Sequence, residues 1–204
     1  MKIYGSLFSP FVRKARVLIE EKQIDCEFVV VDAWASDSPV PAWSPLGKVP
    51  VLEVESGQHL FDSTLIVHYL DHLEGEPLPP REGADYWRSQ WWQALGNGLI
   101  DATVARVLET RRPVNMQIPE KLQREEARIA RTLAAANDAC NTTDFLVGTE
   151  FSLADLVLGV AVHYVDARFS HDWRSTLPAL EAWHGQIVKR SSFERTAPPG
   201  LAIG

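Results

Sequence analysis

KIYGSLFSPFVRKARV, residues 2–17, decides the class of the first part of the chain, because it passes from a strand to a helix across a serine and a proline. Ile3, Tyr4 and Leu7 keep the short period of a strand, and from Phe11 the apolar residues fall at helical spacing, with Ala15, Leu18 and Ile19 following. Pro10 suits a first helical turn, where a missing N–H costs nothing. Ser9 is left at the joint. Its hydroxyl can cap the helix, or it can face an anion drawn there by free backbone N–H groups and the positive end of the helix dipole.

Working outward, residues 27–32 (EFVVVD) read as a buried strand. Residues 33–48 hold Pro39, Pro41 and Pro45 with Ser36, Ser38 and Ser44, which predicts an irregular loop with a short helical turn, anchored by Trp34 and Trp43. Residues 49–54 (VPVLEV) and 58–61 (QHLF) read as a hairpin turning at Glu55-Ser56-Gly57. Pro50 cannot donate to a central ladder, so it marks a strand start or an exposed backbone edge. Asp62-Ser63 then opens a helix over residues 64–73, where Leu65, Ile66, Tyr69, Leu70 and Leu73 keep the helical period. Strand, helix, strand, hairpin and helix make a compact α/β unit.

Residues 74–83 (EGEPLPPREG) suit neither helix nor strand and read as a linker. Beyond it the β signal disappears, and helices are predicted over 84–111, 120–140, 152–168 and 177–189. The change of class divides the chain into domains over residues 1–76 and 84–204.

At 204 residues and 46% hydrophobic, the chain can build a substantial core. Its net charge of −7 provides no basic field for a phosphate backbone, so nucleic acid is not an expected partner. Apolar runs such as residues 153–162, with Asp155 inside, are too short to span a bilayer, and the N-terminus has no signal-peptide core; a cytoplasmic protein without membrane contact is expected. Cys26 and Cys140 stand alone, with no C-x-x-C spacing, and read as inert, buried thiols.

Several chemistries fail on spacing. His68 and His72 stand at i and i+4, but Tyr69 occupies the place where a zinc-protease motif needs glutamate, so no metal site is expected. Phosphate-binding and dinucleotide-binding glycine loops and the hydrolase nucleophile elbow are absent from the sequence. Arg13, Lys14 and Arg16 read as a solvated helix face or as ion-pair members, and Trp87, Trp91 and Trp92 as core or subunit interface, with a substrate-lining role as the alternative. Ser152 and Asp155, flanked by Phe151 and Leu156, form a capping box, a structural device rather than a site. Ser9, the Lys48-Val49-Pro50 segment and Asp62-Ser63 remain, and together they suit a small, extended, peptide-like acid.

Ser9-Pro10-Phe11-Val12-Arg13-Lys14, the run from Ser44 to Leu52, Phe61-Asp62-Ser63 and Ser152-x-x-Asp155 together resemble the cytosolic glutathione transferase superfamily over almost the full chain, most closely its bacterial members with a Ser-Pro-Phe start. The resemblance implies a thioredoxin-like α/β N-terminal domain that binds glutathione, an all-α helical-bundle C-terminal domain, a homodimer, and glutathione as cosubstrate without a metal. It further implies that Ser9 faces the glutathione sulfur and that Pro50 is a cis-proline. Val49 would pair with the cysteinyl backbone, Asp62 and Ser63 would hold the γ-glutamyl end, and Lys48 and Trp34 would meet the glycyl end. A hydrophobic electrophile would lie in an apolar pocket between the domains, with Phe8 and the helix near Arg106 and Glu109 as candidate walls. Three departures stand out: Asp62 replaces a more usual glutamate, Tyr4 comes too early to be a catalytic tyrosine, and no cysteine occupies position 9. The implied activity is conjugation of an electrophile, a detoxification role. The alternatives are a binding or regulatory protein on the same scaffold, or a glutathione-dependent isomerase, peroxidase or dehalogenase.

Overall fold

Strand β1 (Lys2–Gly5) and helix α1 (Pro10–Lys22) form as the opening stretch predicts, although the strand stops at Gly5 and Leu7 falls in a turn. In the computed structural model, which describes residues 1–73, 75–140, 144–169 and 172–200, the chain divides into two compact units. The first is Met1–Pro77 with residues 189–200, and the second is Leu78–Val188. The sequence-based division assigned everything after residue 84 to the helical half. Glu74, at the head of the predicted linker, lies outside the described residues.

The first unit is a four-stranded sheet of order β2-β1-β3-β4, with β2 at Glu27–Val30, β3 at Val51–Glu53 and β4 at His59–Leu60. β1 pairs parallel with β2 and antiparallel with β3, and β3 pairs antiparallel with β4. Two expectations change here. β2 is an edge strand and only half-buried, with Val30 62% exposed, because its outer side has no neighbouring strand. β3 is central rather than an open edge, and Pro50 is tolerated because it precedes the first ladder residue, Val51.

Alternation sorts the strand residues onto two faces. Ile3 and Leu52 are in register and almost wholly buried, and Gly5 continues that face toward α1. A Cβ on Gly5 would come within 2.8 Å of Val12 Cγ1, so glycine allows β1 and α1 to approach this closely. Tyr4 and Val51 occupy the other face, where they pack with Val40 of the short helix α2 (Val40–Trp43). Helix α3 (Ser63–Leu73) packs beside α1.

The C-terminal segment joins this unit through α8 (Ser191–Arg195), which packs on α1. Arg13 and Lys14 are therefore buried rather than solvated: the Arg13 guanidinium donates to Phe193 O at 3.0 Å and to Thr196 Oγ1 at 3.4 Å, and lies over the Phe193 ring. Arg16 lies 4.4 Å from the centre of the Phe28 ring. Arg190 grips Glu21 with two hydrogen bonds of 2.8 and 2.7 Å, and Ser192 Oγ donates to the same carboxylate at 2.5 Å.

In the second unit, α4 (Gly83–Thr110), α5 (Pro119–Cys140), α6 (Leu153–Arg168) and α7 (Pro178–Ile187) lie within two residues of the predicted spans. Helix α6 is apolar on nearly every side, as a central helix must be. It meets α4 at Gly96, where a Cβ would come 2.9 Å from Val157 Cγ1. The predicted capping box is present: Asp155 accepts from Ser152 N at 3.0 Å, from Ser152 Oγ at 2.6 Å and from Leu146 N at 2.8 Å. Helix α7 has no cap of its own and borrows one, as Asn137 Oδ1 of α5 accepts from Ala179 and Leu180 N–H. No helix among the described residues is long and apolar enough to cross a membrane.

Two stability tests follow from these contacts. Burial pushes the Glu21 carboxyl up, but hydrogen bonds from Arg190 and Ser192 and the charge of Arg190 outweigh burial and hold it below the ordinary carboxylate range. A depressed acid stabilises the fold above its unfolded pKa, about 4.3, and loses that contribution as pH falls through the folded value. The Tm gap between the native protein and Glu21→Gln should therefore be full at neutral pH and close progressively below about pH 4.3; a pH-independent gap would contradict it. Ser152→Ala should cost about 1–2 kcal/mol, which at this chain length lowers Tm by roughly 2–8 °C. An unchanged Tm in calorimetry would show that the box does not hold α6.

Candidate functional site

Register brings the three singled-out segments to one end of the sheet. β1 leaves the sheet at Gly5 and leads within four residues to Ser9. β3 runs antiparallel to β1, with Tyr4 opposite Val51, so Lys48, Val49 and Pro50 enter the sheet at that same end. β4 is antiparallel to β3 and so leaves the sheet there, delivering Asp62 and Ser63. β2 runs parallel to β1 and its continuation, where Val31 N–H donates to Gly5 O, leads to the loop that carries Trp34. Helices α1 and α3 both start at this end, so two positive dipole ends face it.

At the start of α1, Ser9 has extended backbone (φ −81°, ψ 121°), and its Oγ accepts from Val12 N–H at 3.3 Å. The capping bond uses a lone pair and leaves the hydroxyl proton free to donate, so capping and facing an anion do not compete. Ser9 O takes the Arg13 N–H at 3.0 Å, and Pro10 has no N–H. Of the first turn's donors, the Phe11 N–H is left without a backbone acceptor among the described residues.

At the start of α3, Asp62 is the cap: its Oδ1 accepts from Thr64 N–H at 2.9 Å and from Leu65 N–H at 3.4 Å, and its backbone O accepts from Ile66 N–H at 3.0 Å. The shorter aspartate thereby reaches its own helix end. Ser63, 4% exposed, keeps its N–H and hydroxyl with no protein partner among the described residues. The peptide bonds Val49-Pro50 and Phe61-Asp62 are cis, the first as the resemblance implied. Val49 is half-buried and makes no backbone hydrogen bond among the described residues, which leaves its N–H and C=O for an extended ligand.

Lys48 is exposed, and Trp34 is 83% exposed, so Trp34 does not anchor its loop. Trp43 does. Its ring packs 4.4 Å from the Tyr4 ring and stacks on His59 at 5.7 Å, and Tyr4 OH donates to Glu53 Oε2 at 2.5 Å. The hydrogen bond to Glu53, burial, and the charges of Glu53 and Glu27 push the Tyr4 phenol up to about 12, which keeps it a donor. The sequence reading passed over Gly5, Glu53 and His59 as site-shaping residues; the strand alternation that places Tyr4, Glu53 and His59 on one face was the available signal.

Other candidates are committed elsewhere. Glu109 is buried, receives Ile118 N–H at 2.9 Å and pairs with Lys121 at 2.8 Å; Arg106 pairs with Glu126 at 2.8 Å and lies over Phe169. Burial pushes the Cys26 thiol up to about 11 and the Cys140 thiol to about 12, which removes both from thiolate chemistry near neutrality. Cys26 is half-buried, not fully buried as the sequence implied. His72 Nδ1 bonds His68 O, one turn back. Of the tryptophans, Trp92 is core, whereas Trp87 and Trp91 are 71% and 55% exposed.

The glutathione S-transferase N-terminal domain family matches residues 3–78, and the glutathione S-transferase C-terminal domain family matches residues 119–185. The chain is 35% identical to the uncharacterized GST-like protein YibF of Escherichia coli K12, over 98% of this chain and 99% of that protein. Among solved structures it resembles a glutathione S-transferase of Methylobacillus flagellatus KT with GSH bound, with 36% identity, a TM-score of 0.93, and coverage of 97% of this chain and 98% of that one. It also resembles a glutathione transferase family member of Pseudomonas fluorescens Pf-5 with bound glutathione, with 31% identity, a TM-score of 0.86, and coverage of 97% and 98%. With a thioredoxin-like first unit, an all-helical second unit and matches in both halves, the chain belongs to the glutathione S-transferase superfamily.

Proposed function

We propose that this protein is a glutathione transferase that joins the glutathione sulfur to an electrophilic carbon of an apolar alkyl or aryl small molecule. The observation that carries the reading is the gathering of Ser9, Val49 and Ser63 at one end of the sheet, beneath two helix N-termini. Glutathione is an extended tripeptide with an anionic carboxylate at each end and a thiol in the middle, which matches this arrangement in charge and backbone polarity. The glutathione-bound relatives support the same ligand.

In this reading Val49 exchanges main-chain hydrogen bonds with the cysteinyl residue, as an added strand would. The Ser63 N–H and hydroxyl receive the γ-glutamyl carboxylate, while the second Asp62 oxygen, left over from capping, faces the ammonium. Lys48 and Trp34 lie on exposed loop positions suited to the glycyl carboxylate. Pro50 shapes the turn into β3.

Ser9 donates a hydrogen bond from its hydroxyl to the sulfur, which favours the thiolate left when the thiol gives up its proton to water. A free thiol, pKa about 8.5, is only a few per cent thiolate near neutrality. A hydrogen bond to the anion together with the α1 dipole lowers that value, and each unit corresponds to about 1.4 kcal/mol. The thiolate then attacks the carbon, a C–S bond forms, and the leaving group departs with its electron pair. A homodimer located in the cytoplasm belongs to the same reading, and the exposed indoles of Trp87 and Trp91 are a surface that a second copy would cover.

Titration calorimetry with glutathione tests the ligand, and absence of binding would sink the proposal. With glutathione and chlorodinitrobenzene, Ser9→Ala should lose roughly 10–100-fold in kcat/KM near neutrality, with its pH profile displaced upward by about 1–2 units. Unchanged turnover would remove the catalytic role of Ser9 while leaving the ligand assignment intact. Ser63→Ala should instead weaken glutathione binding by roughly 10–100-fold, as expected for a lost hydrogen bond to a charged group.

A further inference from the structure

We propose that Trp43 is a positioning residue for the glutathione-binding segment, holding residues 44–49 against the face of the sheet through a platform made by Tyr4, Glu53 and His59. The proposal rests on the glutathione reading above. From Ser44 to Pro50 the chain has no regular secondary structure, and its internal backbone bonds are sparse: Ser44 N–H to Val40 O at 2.8 Å and Gly47 N–H to Ser44 O at 2.9 Å, with Gly47 at φ +61°. Val49 packs against the Tyr4, Val40 and Val51 cluster, and the rest of the segment is held by what lies on either side. On one side is Val51, fixed in the sheet opposite Tyr4. On the other is Trp43, the last residue of α2, five residues before Lys48.

Few side chains of this region are placed to do the holding. Trp34 and Leu46 are 83% and 57% exposed, which leaves Val40 and Trp43 at the head of the segment, with the buried Ser44 and the half-buried Val49 inside it. Val40 is an aliphatic plug in the core, whereas Trp43 is gripped on two sides, tilted by 34° against Tyr4 and nearly parallel to His59 at 13°. The platform is tied together from three strands. Tyr4 of β1 donates to Glu53 of β3, and the same Glu53 oxygen lies 3.9 Å from His59 Nε2 of β4. Glu27, paired with Lys2 at 3.7 Å, is the other charge that acts on Tyr4. A ring held between side chains of two strands that a third ties together converts the rigidity of the sheet into a defined position for a segment that has little structure of its own. Such preorganisation acts on binding, since a floppy segment must be ordered when the ligand arrives.

The test compares the native protein with Trp43→Ala, Trp43→Phe and His59→Ala, using glutathione as the probe and chlorodinitrobenzene as the second substrate. Trp43→Ala should raise the KM for glutathione about tenfold while kcat at saturating glutathione stays within about twofold, because Ser9 and α1 are untouched. Trp43→Phe should restore most of the affinity, and His59→Ala should fall between. Hydrogen exchange without ligand should show faster exchange at Gly47, Lys48 and Val49 in Trp43→Ala, with the amides of β1 and β3 unchanged. An unaltered KM, a parallel fall in kcat, or unaltered exchange in that segment would overturn the positioning role. Failure of the native protein to bind glutathione would overturn the underlying reading instead, and the exchange comparison separates the two outcomes.

Discussion

The antiparallel pairing of β1 with β3 is the constraint on which the first unit depends. Placing Tyr4 opposite Val51 commits Ile3 and Leu52 to the helix-covered face, and Tyr4 with Glu53 to the face covered by α2. It also decides which chain ends meet. The exit of β1, the entry of β3 and the exit of β4 lie together only because β3 runs against both of its neighbours. A slip of one residue between β1 and β3 would put Tyr4 and Glu53 on opposite faces and break their hydrogen bond.

Electrostatics then follows from geometry. The two helices that start at this end bring partial positive charge, and each is capped in a way that leaves donors over: the Ser9 hydroxyl proton on α1, and the Ser63 N–H and hydroxyl on α3. Arg13 adds a buried guanidinium one turn behind Ser9, held by Phe193 O and Thr196 rather than by a carboxylate. Burial together with the nearby Arg16 charge pulls its pKa down to about 10, so it stays cationic near neutrality. The α8 segment that buries Arg13 is itself clasped to Glu21 by Arg190 and Ser192. Local positive character at α1 thus depends on residues almost the whole chain length away.

Trp34 and Trp43 show where sequence reading runs out. Both are tryptophans in one proline-rich loop, and nothing local distinguishes them, yet one is open to solvent and the other is stacked between Tyr4 and His59. Arg13 is a similar case, since its spacing on α1 looks solvated until α8 returns to cover it. The opposite holds for the bonds between Ser152 and Asp155, which lie within one helical turn and make a capping box that could be read directly.

By itself the sequence determined the order and type of the elements, the serine and aspartate at the two helix starts, the capping box of α6 and the change from α/β to all-helical after residue 83, because each depends on contacts within a few residues. Tertiary structure alone decided that β3 is central, that Trp43 and not Trp34 is the anchor, and that the C-terminal segment belongs with α1. These depend on register and on burial by neighbours distant in the chain, and periodicity or local spacing does not encode which distant surface a side chain will meet.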